Sequence, residues 1–243
     1  MPEGPSIVIL KEEAAKFAGR KIISVSGNSK IDQSRLEGQK IIELKSWGKH
    51  FLVCFTGFTL RIHFLLFGSY RIDEEKPETA ARLSLIFDNG ALHLYSCSVK
   101  LLEDDVNGHY DWSVDVMNDA WDSEKAATKL RQHPGMMVCD ALLEQDIFAG
   151  VGNIIKNEVL YRIRVHPESR VGYLPADKFS KLIEEARIYS FQFLEWKKRH
   201  ELKKHWLAHT KSWCLRCNLS IIRKQTGVKK RRSFICTNCQ ELY

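Results

Sequence analysis

Two Cys-x-x-Cys steps near the end of this chain, Cys214/Cys217 and Cys236/Cys239, constrain its fold more than any other feature. Four thiolates at this spacing suit one structural zinc ion held tetrahedrally, and the 18 residues between Cys217 and Cys236 must then fold back as a hairpin. The run Lys229-Lys230-Arg231-Arg232 lies inside that hairpin. A metal-stapled loop with a basic tip fits a nucleic acid. The other use of such cysteines, a pair of disulfides, needs an oxidising compartment. The start Met1-Pro2-Glu3-Gly4-Pro5 has neither the basic nor the apolar region of a secretory signal, and no apolar run is long enough to span a bilayer. The expectation is a cytoplasmic protein, nucleoid-associated in a bacterium, with no membrane partner. Cys54, Cys97 and Cys139 stand in apolar surroundings and are expected as buried hydrophobes.

Charge is distributed unevenly along the 243 residues. From Glu195 onward there are 13 Lys/Arg against 3 Asp/Glu, a local +10 in a chain whose total is +7, so the first 194 residues carry −3. Lys and Arg concentrated in this way release counterions from phosphates, and binding should weaken steeply with salt. The length accommodates two cores with a small metal module appended.

The hydrophobic pattern divides the chain. Residues 5–18 place Pro5 in a first turn, apolar Ile7, Val8, Leu10, Ala14 and Phe17 along the helix, and Gly19 beyond its end. Strand signals follow at 21–26, 40–46, 51–55, 59–64, 82–87 and 91–95, the last two joined by the turn Asp88-Asn89-Gly90. Helical periods replace them after Asp119: 124–132, a segment beginning 137–144, 153–163 and 176–199. The reading is an α+β multidomain protein: an antiparallel β-sandwich with an early helix at 1–118, a helical domain at 124–208, and a four-cysteine zinc-finger hairpin at 209–243. A monomer is the default.

Between two of the helical segments lies Phe148-Ala149-Gly150-Val151-Gly152-Asn153. Glycines there permit a sharp turn, and Asn153 suits a helix cap whose free N–H groups can receive a phosphate. Read alone, the segment is a tight turn between packed helices.

The early Pro2-Glu3, Trp47-Gly48-Lys49 before a strand, Leu143-Glu144-Gln145 leading through Gly150-Val151-Gly152-Asn153 to Glu158, and the terminal cysteine hairpin occur in one order. Together they resemble the formamidopyrimidine-DNA glycosylase/endonuclease VIII family of base-excision repair enzymes across essentially the whole chain. Gly4 and Leu66-Phe67-Gly68 look closer to the endonuclease VIII branch. The helical segment around the glycines then resembles that family's helix-two-turn-helix.

The resemblance implies a bifunctional DNA glycosylase and abasic-site lyase that removes oxidised bases, pyrimidines above all, from double-stranded DNA. It makes Pro2 the nucleophile, once Met1 is removed, and Glu3 the proton shuttle. Lys49, Asn153 and a hairpin arginine, Arg231 or Arg232, would grip phosphates. Leu65, Leu66 and Phe67 would fill the void left by the extruded base, although taken alone they read as strand core. Two residues depart from the family pattern: Ser6 stands where a second glutamate is common, and Ile155 replaces a tyrosine of the formamidopyrimidine branch. His205 and His209, four apart, match no family role and read as part of a solvent-facing helix. The alternatives are a non-catalytic protein that binds damaged DNA or abasic sites on the same scaffold, and a zinc-ribbon protein of the translation machinery.

Overall fold

The computed structural model describes residues 2–243. The chain forms two compact units that meet in sequence at Asp111 and Trp112.

The first unit opens with α1 (Gly4–Glu13), which continues as a 3-10 turn over Ala14–Phe17, so the helix expected through residue 18 tightens before its end. Pro5 suits the first turn because its missing N–H would find no helical partner there. Eight strands follow: β1 (Ser24–Ser26), β2 (Glu43–Trp47), β3 (His50–Phe55), β4 (Phe58–His63), β5 (Ser69–Ile72), β6 (Leu83–Phe87), β7 (Gly90–Tyr95) and β8 (Ser98–Glu103). They make two antiparallel four-stranded sheets, ordered β1-β6-β7-β5 and β2-β3-β4-β8. The period-2 positions explain the sandwich. Phe51, Val53, Phe55, Leu60 and Ile62 of one sheet share a core with Leu83, Leu85, Leu92 and Leu94 of the other, and Ile7 and Leu10 of α1 join it. Each such side chain contributes about 1.5–3 kcal/mol by leaving water.

Strands β5 and β8 were not anticipated. Ser-Tyr-Arg-Ile and Ser-Val-Lys-Leu-Leu-Glu carry too few apolar residues to stand out, and both are edge strands, where one side of the ladder needs no partner. Residues 65–67 are not strand core. They form a turn after β4 with Leu65 51%, Leu66 49% and Phe67 87% exposed.

The second unit contains α2 (Ser123–Arg131), the short α3 (Val138–Ala141), α4 (Asn153–Ile163) and α5 (Ala176–Lys198). Asp122 caps α2 by accepting from the Lys125 N–H. The expected helix from 137 to 144 shrinks to one turn because residues 142–149 are held by successive turns, with Phe148 and Ile147 turned into the core. Leu182, Ile183, Ala186, Tyr189 and Phe193 of α5 line the same core at helical spacing. The unit closes with β9 (Trp213–Cys214), β10 (Leu219–Ser220), β11 (Ile222–Thr226) and β12 (Arg231–Ile235), paired as two antiparallel hairpins. Among the described residues, no helix is long and apolar enough to cross a membrane.

Candidate nucleic-acid interface and metal site

The four cysteines converge. Their sulfurs all lie within 4.8 Å of one another, with Cys217 Sγ 3.3 Å from Cys214 and 3.1 Å from Cys236. Cys214 and Cys236 are buried, and burial followed by the neighbouring thiols pushes the Cys239 thiol up to about 12. Four sulfurs held together at such distances, two from the β9–β10 hairpin and two from the turn that follows β12, fit a metal ion with tetrahedral thiolate ligation such as zinc, whose charge would reverse that shift. Cys54, Cys97 and Cys139 are buried elsewhere, and desolvation raises all three thiols.

Around this centre the basic hairpin is firmly seated. Glycine at 227 adopts φ +71°, and the turn closes by the Lys230 N–H donating to the Gly227 carbonyl at 3.2 Å. Asn157, one turn along α4 from Asn153, donates to the Asn153 carbonyl at 2.7 Å and to the Arg232 carbonyl at 3.2 Å, while its own oxygen accepts from the Phe234 N–H. One amide therefore brings the start of α4 and strand β12 together. Arg232 is exposed and Arg231 partly so. Lys229 is already engaged: its ammonium donates to the Leu143 carbonyl and to the Glu144 carboxylate, each at 3.0 Å.

The glycine turn differs from the expectation in one respect. Gly152 occupies the cap position and Asn153 is the first residue of α4, so Asn153 does not cap its own helix. Its side-chain oxygen is buried without a hydrogen-bond partner among the described residues. Gln145, whose role was not foreseen, staples the turn. It accepts from the Gly150 N–H and donates to the Leu143 and Val151 carbonyls. A polar side chain five residues before the first glycine was the available signal.

Glu158 is fully buried, and desolvation raises its pKa even though it accepts three backbone N–H groups, from Leu207, Ala208 and His209 at 2.7–2.9 Å. It ties α4 to the segment entering the first cysteine pair. His205 and His209 do not share a solvent-facing helix. His205 stacks on Trp196 at 4.2 Å, and His209 lies edge-on to Phe234, with burial and then the Lys156 ammonium holding it down to about 4.

In the first unit, Pro2 is half-buried and Glu3, at the cap position of α1, is 0% exposed. Met1, whose removal would free the Pro2 amine, lies outside the described residues. Ser6 sits in the first turn, its N–H bonded to the Glu3 carbonyl at 2.8 Å. Lys49 occupies the β2–β3 turn beside Gly48 at φ +51°, and the Trp47 ring packs against Tyr110 with centroids 4.9 Å apart and the planes tilted by 40°, while its N–H donates to the Asp111 carbonyl. Nearby, burial and the charges of Arg61, His63 and Lys49 hold His50 down to about 3, its Nδ1 3.1 Å from the Tyr110 hydroxyl.

Comparison with known proteins agrees with this arrangement. A model for the formamidopyrimidine-DNA glycosylase N-terminal domain matches residues 1–98, and one for the H2TH domain of the same enzymes matches residues 113–189. Endonuclease 8-like 3 of Xenopus laevis is 27% identical over 232 residues, which is 90% of this chain but 38% of that protein, so the chain spans little more than a third of that relative. Endonuclease 8 2 of Mycobacterium bovis is 26% identical over 77% of each chain. The formamidopyrimidine-DNA glycosylase of Lactococcus lactis, solved bound non-covalently to DNA containing an abasic site, superposes with a TM-score of 0.87 at 22% identity, covering 98% of this chain and 99% of that one. With both domain models matched in order and the glycine turn and cysteine hairpin in place, this chain belongs to the formamidopyrimidine-DNA glycosylase/endonuclease VIII family.

Proposed function

We propose that this protein is a base-excision DNA glycosylase with abasic-site lyase activity, acting on oxidised bases in double-stranded DNA, pyrimidines foremost. The observation that carries the reading is Glu3, a carboxyl removed entirely from water and adjoining in the chain Pro2, whose nitrogen becomes an amine once Met1 is removed. Burying a carboxyl costs free energy that bonds or use must offset, and perturbed acids of this kind concentrate at functional sites. A protein of similar fold, the formamidopyrimidine-DNA glycosylase of Lactococcus lactis, has been solved with DNA containing an oxidised pyrimidine, which supports the inclusion of that lesion class.

The chemistry follows from the residues. A terminal α-amine with pKa near ~8 is roughly a tenth unprotonated at neutral pH, far more than a lysine. The Pro2 nitrogen bonds to the sugar C1′ as the glycosidic bond breaks; the bonding pair leaves with the base, which takes a proton from water, and the amine proton passes to the Glu3 carboxylate. Opening of the C1′–O4′ bond, with Glu3 supplying the proton to O4′, leaves an iminium. A secondary amine makes an iminium with no N–H to lose, so the positive charge persists. It acidifies the C2′ proton, whose removal expels the 3′ phosphate, and water then hydrolyses the iminium to return the amine. Lys49, Asn153 and Arg231 or Arg232 would hold phosphates, and residues 65–67 would enter the gap. The four cysteines would hold one zinc ion that keeps the hairpin folded. The ion takes no part in the reaction.

Borohydride trapping tests the mechanism, with duplexes carrying an abasic site, thymine glycol or 8-oxoguanine and with intact mass confirming Met1 removal. A covalent adduct in wild type that disappears in Pro2→Gly supports the iminium. Salt-sensitive binding without any adduct would leave a DNA-binding protein.

A further inference from the structure

The tip of the β11–β12 hairpin rests on a carboxylate of another element. Asp140, buried on α3, accepts from the Val228 N–H at Oδ2, 2.8 Å, and from the Lys229 N–H at Oδ1, 3.1 Å. The approach is so close that a Cβ at Gly227 would overlap the carboxylate and displace it, and the positive φ there favours glycine as well. Further along the same hairpin, Lys156 of α4 is fully buried, and its ammonium donates to the Arg232 carbonyl at 3.1 Å and to Ser233 Oγ at 2.8 Å. Ser233 in turn meets Thr226 Oγ1 across the hairpin at 2.6 Å. Arg231 and Arg232 therefore lie between two charged anchors, neither of which presents its charge to solvent.

We propose that Asp140 is a positioning residue that fixes the Arg231/Arg232 hairpin for its grip on the DNA backbone, with Lys156 as the second anchor. The inference rests on the DNA-acting reading given above. Hydrogen bonds to an ionised acceptor are short and directional, and two from one carboxylate set both the place and the tilt of a turn. A loose hairpin would have to be ordered on binding, and that entropy would be subtracted from affinity.

Charge gives the proposal a sign that a purely electrostatic role does not share. Replacing an acid in a basic domain raises its positive charge and, by electrostatics alone, tightens DNA binding. Positioning predicts the reverse. The experiment measures the affinity of wild type, Asp140→Asn, Asp140→Ala and Lys156→Met for a tetrahydrofuran-containing duplex across a salt series. The same substitutions are then placed on an Arg231→Ala/Arg232→Ala background, and zinc content is measured for every variant. Asp140→Ala is expected to weaken binding about tenfold, as befits loss of hydrogen bonds to a charged group, with Asp140→Asn in between because one acceptor survives. Both losses vanish on the double-arginine background, and amide exchange at Val228 and Lys229 quickens while zinc stays at one ion per chain. Unchanged or tighter binding in Asp140→Ala overturns the proposal, as does a loss that simply adds to that of the arginines. If Asp140→Ala fails to retain zinc, Asp140→Asn and Lys156→Met decide by the same criteria. Wild type that binds no duplex overturns both this proposal and the functional reading, whereas salt-sensitive binding that Asp140 does not influence overturns this one alone.

Discussion

Two projecting segments of the molecule are built in opposite ways. The turn at residues 65–67 sends Leu65, Leu66 and Phe67 into solvent from a backbone that holds Leu65 at φ +25° and packs Gly68 directly over Phe64. The hairpin at residues 227–232 carries charge and is pinned by Asp140, Lys156, Asn157 and the cysteine cluster. The apolar segment is left free and the charged one is fixed, the reverse of a simple solubility rule. The two proposed tasks account for this. A side chain that replaces an extruded base must be available to enter a stack, whereas an arginine that grips a phosphate gains from having its geometry set in advance.

Loss of the metal should break the comparison most completely. Cys236→Ser, or chelation, removes the centre to which both hairpins are tied, and thiolate sites of this kind supply folding energy outright. Affinity for an abasic-site duplex is expected to fall by more than about a hundredfold, because the hairpin then has to be ordered on binding. The first unit should keep its own unfolding transition. Zinc stoichiometry, calorimetry and binding on the same sample check this, and retention of tight binding by the metal-free protein would contradict it.

Residues 65–67 should behave in the opposite manner. Since they are exposed, replacing all three by Ala is expected to change stability by no more than about 0.5 kcal/mol. The same change should slow base excision from duplex by about tenfold or more, because nothing then offsets the loss of stacking around the flipped nucleotide. Single-turnover excision beside urea denaturation separates the two quantities. A stability loss of core size would mean that the segment is packed in solution.

A pH titration probes the first unit alone. His50 is held down to about 3 by burial first, then by Arg61, His63 and Lys49, with Tyr110 as its hydrogen-bond partner. A depressed imidazole contributes stability that is fully present above the unfolded value near ~6.5 and is lost as pH falls towards the folded value. At pH 5 the loss is about 1–2 kcal/mol by linkage. Denaturation of wild type and His50→Phe at pH 7 and pH 5 measures it. The difference between the two proteins removes the acid lability of the metal site, and equal acid sensitivity in both would show that His50 is not responsible.

How much of this could be read from the sequence depends on the range of the signal. The cysteine pairs, the glycine turn, the long helices and the central strands carry their information locally, in spacing or period, and the chain folds as those patterns indicate. Strands β5 and β8 were invisible because an edge strand need not be apolar, and α3 shortened because Ile147 and Phe148 are drawn into the core. The anchors escaped for another reason. Nothing around Asp140 or Lys156 in the sequence distinguishes them from surface charges. Their partners lie more than 70 positions away, and only the fold brings the two ends together. Asn153 illustrates a middle case, placed at the start of α4 as expected but one residue inside the cap.

The smallest expected effect concerns Lys229, which the sequence groups with its three basic neighbours. Its ammonium is spent within the protein, on the Leu143 carbonyl and on Glu144, in a pair whose side chains are 37% and 36% exposed. Partly solvated pairs of this kind contribute about 0–1 kcal/mol, so Lys229→Met should leave stability nearly unchanged. It should also leave the salt dependence of DNA binding nearly unchanged, because an ammonium already paired with a carboxylate neutralises little phosphate charge and releases few counterions from the DNA. Arg232→Ala, by contrast, should lower the slope by about one if Arg232 makes the proposed phosphate contact. Equal slopes for the two variants would mean that the Glu144 pair opens on the duplex, and the hairpin would then rearrange on binding as the apolar turn is expected to do.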